Sequence, residues 1–400
     1  MRRKSITTSV LNVLLKPTAV GQRNPDRAFD RMVAAAEKAT GGDAASDAEF
    51  VDQFRFLMHC FVGHEGLSPM GWQSVVGDLS NRLENRLRIR RLIAENPAIA
   101  DEPIERPLFI VGLPRTATTL CHNIIAKSAG HRGPKLWEWM FTDLAGDPAA
   151  ERRYVRTANQ RVGAFMRLSP AFKVIHPLAA EKPDECNYLL PHGSMHLARV
   201  LMRDYHDWLG ERDALPDYEY LRQALQVLQY GRERKRWILK SPMHLDHIPE
   251  LLKVFPGATV VWTHRDPVTV LGSLCSMVEA TQLLHVRRPD LHAIGRMWLS
   301  IQAGAIDRGR AARVAAPRES FVDVPYTWLN AEPHDKIPRL YELIGAEWTD
   351  EDAENLDGVL ARPGIGRQHE YELSRYGLTP GQVEDAFGDY TKMVQAMRFK

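Results

Sequence analysis

The sequence predicts an α/β fold: a parallel β-sheet flanked by helices, with a helical N-terminal extension. Three observations carry that expectation. Short apolar runs rich in β-branched and aromatic residues recur at 109–111, 236–239, 258–263 and 320–326, the lengths of strands rather than helices. Longer stretches with helical spacing lie between them, the pattern of crossover connections in a parallel sheet. The first three runs end in polar or charged residues, where open parallel sheets bind ligands.

The 400 residues suffice for one large α/β domain with additions, or for two domains. We divide them into a helical region, 1–103, packed on the core, and a sheet-bearing region, 104–400. A formal net charge of +2 gives no global basic field, so no nucleic-acid partner is expected. Cys60, Cys121, Cys186 and Cys275 form no C-x-x-C pair. A disulfide framework or zinc site is therefore not expected, and a reducing cytoplasm is. Met1-Arg2-Arg3-Lys4 is basic, but Thr7, Thr8, Ser9 and Asn12 interrupt the apolar stretch after it, so no signal peptide is read. No window approaches the roughly 18 apolar residues of a transmembrane segment.

In chain order, 26–40 and 47–63 carry apolar residues at helical spacing, and 72–96 continues as one or two helices with Leu79, Leu83, Leu87 and Leu92 inside. Pro97 and Pro103 end this region. It offers no chemistry of its own; packing on the core, shaping a pocket or carrying a homo-oligomer contact are the roles open to it.

The first strand runs into Gly112-Leu113-Pro114-Arg115-Thr116-Ala117-Thr118-Thr119-Leu120 and then an apolar helix ending near Gly130. A helix N-terminus offers unpaired N–H groups and a positive dipole end, so such a loop is an anion site. Arg115 adds a fixed charge and the threonines add hydroxyl donors. Walker A, G-x-x-x-x-G-K-[ST], matches badly: its second glycine falls on Ala117, its lysine on Thr118, and only Thr119 agrees. An ATPase or GTPase is disfavoured. An ordinary strand-to-helix turn is the plain alternative.

Residues 136–140 form an aromatic cluster in a connection, and 149–166 read as a helix. Glu181, Asp184 and Glu185 precede an apolar helix, where they either cap it or supply a general base. Asp184 and Glu185 point to different faces, so at most one enters a cleft. His192 and His196 have i, i+4 spacing that permits metal ligation, but no H-E-x-x-H or third ligand accompanies them and no metal is expected. After a helix over 218–231, the second strand ends at Lys240, Ser241 and His244, candidates for the same cleft as Arg115. The third strand ends at Arg265, and Ser273 lies eight residues on, two turns into a helix; the two can converge on one phosphate. His264-Arg265-Asp266 mimics a kinase H-R-D, but Leu271 occupies the asparagine position. Helices are expected over 287–313, 336–344, 350–359 and 379–400. The Gly-rich basic stretch 362–369 either closes over an anion or is a plain surface loop. Trp137, Trp139, Phe141, Tyr188, Tyr205 and Trp208 suit an apolar or ring-bearing pocket and core packing equally.

In this order the motifs resemble the P-loop sulfotransferase family, and its bacterial branch most. Gly112 to Leu120 is similar to that family's 5′-phosphosulfate loop, commonly G-x-P-[RK]-[ST]-G-T-T-L. Leu239-Lys240-Ser241-Pro242-Met243-His244-Leu245 looks like its L-K-S-P-x-H-L segment. Val260 to Pro267, with Ser273, resembles its 3′-phosphate motif. Gly366-Arg367-Gln368-His369-Glu370-Tyr371, then Tyr376-Gly377-Leu378, resembles its C-terminal cofactor-closing loop. The resemblance implies a P-loop-type sheet. It also implies 3′-phosphoadenosine 5′-phosphosulfate (PAPS) as donor, no metal, and transfer of the sulfuryl group to a hydroxyl or amine of a small-molecule, lipid or sugar acceptor. The donor contacts it implies are Pro114, Arg115, Thr116, Ala117, Thr118, Thr119, Leu120, Arg265, Ser273, Tyr326, Gly366, Arg367 and His369. Arg115 and Lys240 would stabilise charge on the departing phosphate oxygen. Glu185 or His244 would be the base, with Glu185 preferred. Ala117 stands where the family usually has glycine, adding a Cβ beside the phosphate. The rivals are a nucleotide-binding regulatory protein of the same fold without turnover, and a small-molecule kinase.

Overall fold

The four apolar runs become strands of one five-stranded sheet. In the computed structural model, which describes residues 6–172, 177–361 and 372–397, the strands are β1 (Leu108–Val111), β2 (His131–Arg132), β3 (Arg236–Lys240), β4 (Thr259–His264) and β5 (Phe321–Pro325). Their order is β2-β3-β1-β4-β5, with every pair parallel. Gly366, Arg367 and His369 lie outside the described residues. β2 falls where the sequence reads only the end of a helix. Its two polar residues carry no periodicity, and they are strand because their backbone pairs with Arg236 and Trp237.

Four helices precede the sheet: α1 (Ile6–Leu14), α2 (Pro25–Thr40), α3 (Ala48–Gly63) and α4 (Pro69–Glu95). α5 (Thr118–Ile125) follows β1. Next come α6 (Leu136–Met140), α7 (Pro148–Leu168), α8 (Met195–Arg199), α9 (Arg203–Glu211) and α10 (Leu215–Gln229). α11 (Ile248–Val254) joins β3 to β4, and α12 (Pro267–His285) and α13 (Leu291–Ala315) join β4 to β5. α14 (Tyr326–Asn330), α15 (Pro333–Leu343), α16 (Asp350–Leu360), α17 (Pro380–Phe387) and α18 (Asp389–Met397) close the described chain. Two readings change. The aromatic run expected in a connection is helix α6. The helix expected after Glu185 is a single 3-10 turn, Cys186–Tyr188; Pro183 and Pro191 bracket too few residues for an α-helix.

The sheet is buried on both faces, as parallel sheets are. Along β1, Phe109 and Val111 join an apolar cluster with Trp72, Leu79 and Leu83 of α4. Leu108 and Ile110 face Leu120, Ile124 and Leu340 on the other side. The N-terminal helices therefore share their core with the sheet. α12 corrects the expectation about apolar windows: its 19 residues are long and apolar enough to cross a membrane by length and composition. They are core instead. Val270, Leu271, Leu274 and Val278 are buried, and the helix packs on α4, α8 and α13.

Candidate active site

Every strand except β2 delivers a candidate residue at its carboxyl end. β1 leads into the loop 112–117. Gly112 has φ +138°, and a Cβ there would meet the Thr263 carbonyl oxygen at 2.5 Å, so only glycine serves. The Thr116 hydroxyl is buried, 2.7 Å from the Leu113 carbonyl and 2.6 Å from the Thr263 hydroxyl. It braces the loop from within. Arg115 and Ala117 both hold left-handed backbone, φ +72° and +70°. Ala117 is the N-cap of α5, so the amides of the first helical turn, Thr118 to Leu120, have no intrahelical acceptor. They make an anion cradle beside the exposed Thr119 hydroxyl.

β3 brings Lys240 next to that cradle, in register with Ile110. Its side chain is wholly buried. The ammonium donates to Glu185 Oε1 at 2.6 Å and reaches Thr119 Oγ1 at 3.4 Å. Glu185 is held by its own segment: Asn187 donates to Oε2 at 2.7 Å, and the Asp184 amide donates to the Pro134 carbonyl. Asp184 accepts from the Glu185 amide at 2.7 Å and is absent from the cavity wall, whereas Glu185 is part of it. One of the two acids enters, as expected.

β4 and β5 supply the opposite side. Arg265 donates from Nη1 to the Arg115 carbonyl at 2.9 Å, and its guanidinium lies 4.1 Å from the centre of the Tyr326 ring. Arg115 Nε donates to Ser273 Oγ at 3.1 Å. Arg115, Arg265, Ser273 and Tyr326, distant in sequence, thus form one cluster, and Pro114, Ala117, Thr118, Thr119 and Leu120 line the same cavity.

That cavity measures about 1910 Å³. Its length can be read along α12, where Ser273, Met277, Thr281 and His285 all line it. At four-residue spacing they share one face, and the twelve steps from first to last span about 18 Å. Ser74, Asp78 and Asn81 of α4 line it as well. Where α4 and α12 meet, His285 Nε2 lies 3.0 Å from Ser74 Oγ. Phe165, Phe172, Leu178 and Met195 supply much of the apolar wall. None of these four is marked by a motif; Phe165, Phe172 and Leu178 gather in one apolar cluster, and none carries a signal beyond apolarity.

His244 lies elsewhere. It is buried against the Phe109 ring, with Nδ1 2.9 Å from the Tyr218 hydroxyl, and it is not on the cavity wall. Burial, reinforced by His247, pushes its pKa down to about 3. Ser241 caps the 3-10 turn Pro242–Asp246. Of the aromatic candidates, Tyr188 lines the cavity. Trp137 and Phe141 pack together beneath α7, and Trp139 donates from its indole to the Asp184 carbonyl. Tyr205 and Trp208 stack on each other and enclose His192, and His196 Nε2 pairs with the Pro191 carbonyl.

The likeness to known proteins agrees with this geometry. Residues 107–350 match the model of the Sulfotransferase family. The chain is 29% identical over 266 residues to omega-hydroxy-beta-dihydromenaquinone-9 sulfotransferase Stf3 of Mycobacterium bovis, a match covering 64% of this chain and 65% of that protein. The crystal structure of sulfotransferase STF1 from Mycobacterium tuberculosis superposes with a TM-score of 0.79 at 27% identity, over 90% of this chain and 98% of that one. Sulfotransferase STF9 from Mycobacterium avium gives 0.80 at 27% identity, over 91% and 96%. The matched segment contains the anion loop, Glu185, Lys240, Arg265 and Ser273, and the chain belongs to the sulfotransferase family.

Proposed function

We propose that this protein transfers the sulfuryl group of PAPS to the hydroxyl of a long, apolar acceptor. One observation carries the proposal: a single cavity joins the anion cradle and Glu185, which Lys240 pairs with from behind the wall, to the apolar wall along α12. The residues suit the donor. Arg115, Thr118, Thr119 and the first-turn amides would hold its 5′-phosphosulfate. Arg265 and Ser273 would take the 3′-phosphate, with Tyr326 against Arg265. In the transfer, the acceptor oxygen bonds to sulfur while the bond from sulfur to the phosphate oxygen breaks. Lys240 and Arg115 stabilise the charge left on that oxygen. Glu185 takes the acceptor's proton, being the cavity-wall carboxylate that sits beside the anion cradle through Lys240, and Lys240 is freed to turn toward the leaving group. The Stf3 relative is named for a hydroxylated menaquinone, which favours a lipid alcohol over a sugar.

The test has two arms. Calorimetry should register binding of 3′-phosphoadenosine 5′-phosphate and none of ATP with magnesium; the reverse result would sink the reading. With labelled donor and a panel of lipid alcohols, Glu185→Gln should lower kcat about a hundredfold or more, while His244→Gln keeps near-normal turnover. Equal losses in two folded variants would remove Glu185 as the base.

A further inference from the structure

The first 25 residues hold five basic side chains, Arg2, Arg3, Lys4, Lys16 and Arg23, and no Asp or Glu. Within them lies a concentration of exposed apolar surface. Of the six large hydrophobic residues that stand exposed among the described residues, four are Val10, Val13, Leu14 and Val20. Val10, Val13 and Leu14 occupy i, i+3 and i+4 of α1, one helix face, at 52%, 61% and 65% exposure. α1 itself carries no charge. An apolar helical face flanked by cations and free of acids is the signature of a segment lying in the interface of an anionic bilayer.

The position of α1 gives that face a purpose. Asn12 Oδ1 accepts from the Met70 amide at 3.0 Å, and the neighbouring Ser68 amide donates to the His285 carbonyl at 2.8 Å. α1 is thereby fixed to the α4–α12 junction at His285, about 18 Å along α12 from Ser273. Thr8 Oγ1 donates to the Leu168 carbonyl, at the end of α7, whose Val162 and Phe165 line the cavity. We propose that the apolar face of α1, with Lys16 just beyond its end, docks the protein on an anionic membrane surface, beside the end of the cavity remote from the anion loop. A lipid acceptor would then enter from the bilayer with its hydroxyl leading toward Glu185. The docking rests on α1 itself; the delivery of the acceptor rests on the function proposed above.

Flotation of the full chain with vesicles of equimolar phosphatidylglycerol and phosphatidylcholine tests the docking, with affinity for 3′-phosphoadenosine 5′-phosphate measured in parallel to certify the fold. Wild type should float, less so with pure phosphatidylcholine and less so in high salt. Val10→Asp with Val13→Asp should weaken vesicle binding about tenfold or more and leave nucleotide affinity unchanged. The proposal is overturned if wild type does not float, or if the folded variant floats equally well. It is also overturned if ultracentrifugation reveals a dimer that the double variant splits, which would mean that a second copy covers this face. If the two proteins differ in flotation while wild type transfers nothing to any lipid alcohol, the docking stands and the acceptor reading falls.

Discussion

Ala117 holds left-handed backbone, φ +70° and ψ +22°, at the N-cap of α5, and a Cβ there costs about 1–2 kcal/mol. Glycine would relieve that strain but would lose more conformational entropy on folding, about 0.5–1 kcal/mol. We therefore expect Ala117→Gly to stabilise the protein by about 0.5 kcal/mol and to bind 3′-phosphoadenosine 5′-phosphate at least as tightly. A β-branched residue cannot adopt this backbone without larger distortion. Ala117→Val should lower stability by about 2 kcal/mol and weaken the bisphosphate measurably. Urea titration and calorimetry on the pair check this; equal behaviour of the two variants would mean that the loop tolerates any side chain. At this scale much of the candidate site was legible. Arg115, Thr119, Lys240 and Arg265 all sit within a few residues of a strand end, where local pattern suffices. That Glu185 lines the cavity and His244 does not was not legible, because it turns on a contact between Glu185 and Lys240, 55 residues apart. No local rule says which side of β3 each one faces.

Among the elements, the C-terminal segment is fastened by one carboxylate of α12. Glu279, buried, accepts from the Tyr376 hydroxyl at 2.8 Å and from Arg375 Nη2 at 2.6 Å. Arg375 is 43% exposed, so its ion pair counts for little. Tyr376 is buried, and the bond from its hydroxyl to Glu279 is the one that removing the carboxylate would lose. From the other side Gly295 of α13 receives the turn closely: a Cβ there would lie 2.1 Å from the Tyr376 carbonyl oxygen. Glu279→Ala should therefore cost about 2 kcal/mol, and Glu279→Gln, which keeps an acceptor for Tyr376, less than half of that. Thermal melts of both variants decide it. If Gln and Ala are equally destabilising, the charge on Arg375 matters more than the Tyr376 hydrogen bond. The sequence anticipated elements where length and apolar spacing were strong, as in α2, α3, α7 and α12. It missed β2 and the 3-10 turn after Glu185, whose conformations are imposed by a neighbouring strand and by flanking prolines rather than by their own pattern.

For the whole molecule, what stayed illegible was the cavity, since α4 and α12 bound it from nearly 200 residues apart and no periodicity announces which helices will leave space between them. The same assembly buries histidines, and that gives the fold a pH limit. Burial holds His122, His196 and His244 down to about 3 and His285 to about 4, and it drives His192 well below the usual imidazole range. Each stays neutral in the folded chain but takes a proton near pH 6.5 once unfolded. The unfolded state therefore binds more protons below pH 6.5, and stability falls as pH falls. The loss begins near 6.5 and continues until the folded-state values are reached at about 4 or lower. Each histidine removes about 1.4 kcal/mol per pH unit in that window. Five together match a typical total stability of about 5–15 kcal/mol within one to two units. We expect cooperative acid unfolding with a midpoint above about pH 4.5, earlier than buried carboxylates alone would bring it, and an uptake of about five protons. Urea midpoints followed by circular dichroism from pH 7.5 to 5 should drop steeply below 6.5. A flat profile across that range would mean that these rings are already hydrated and protonated in the native fold. Replacing His285, whose ring spans the Thr281 carbonyl and the Ser74 hydroxyl, with Gln should reduce the slope by about one proton.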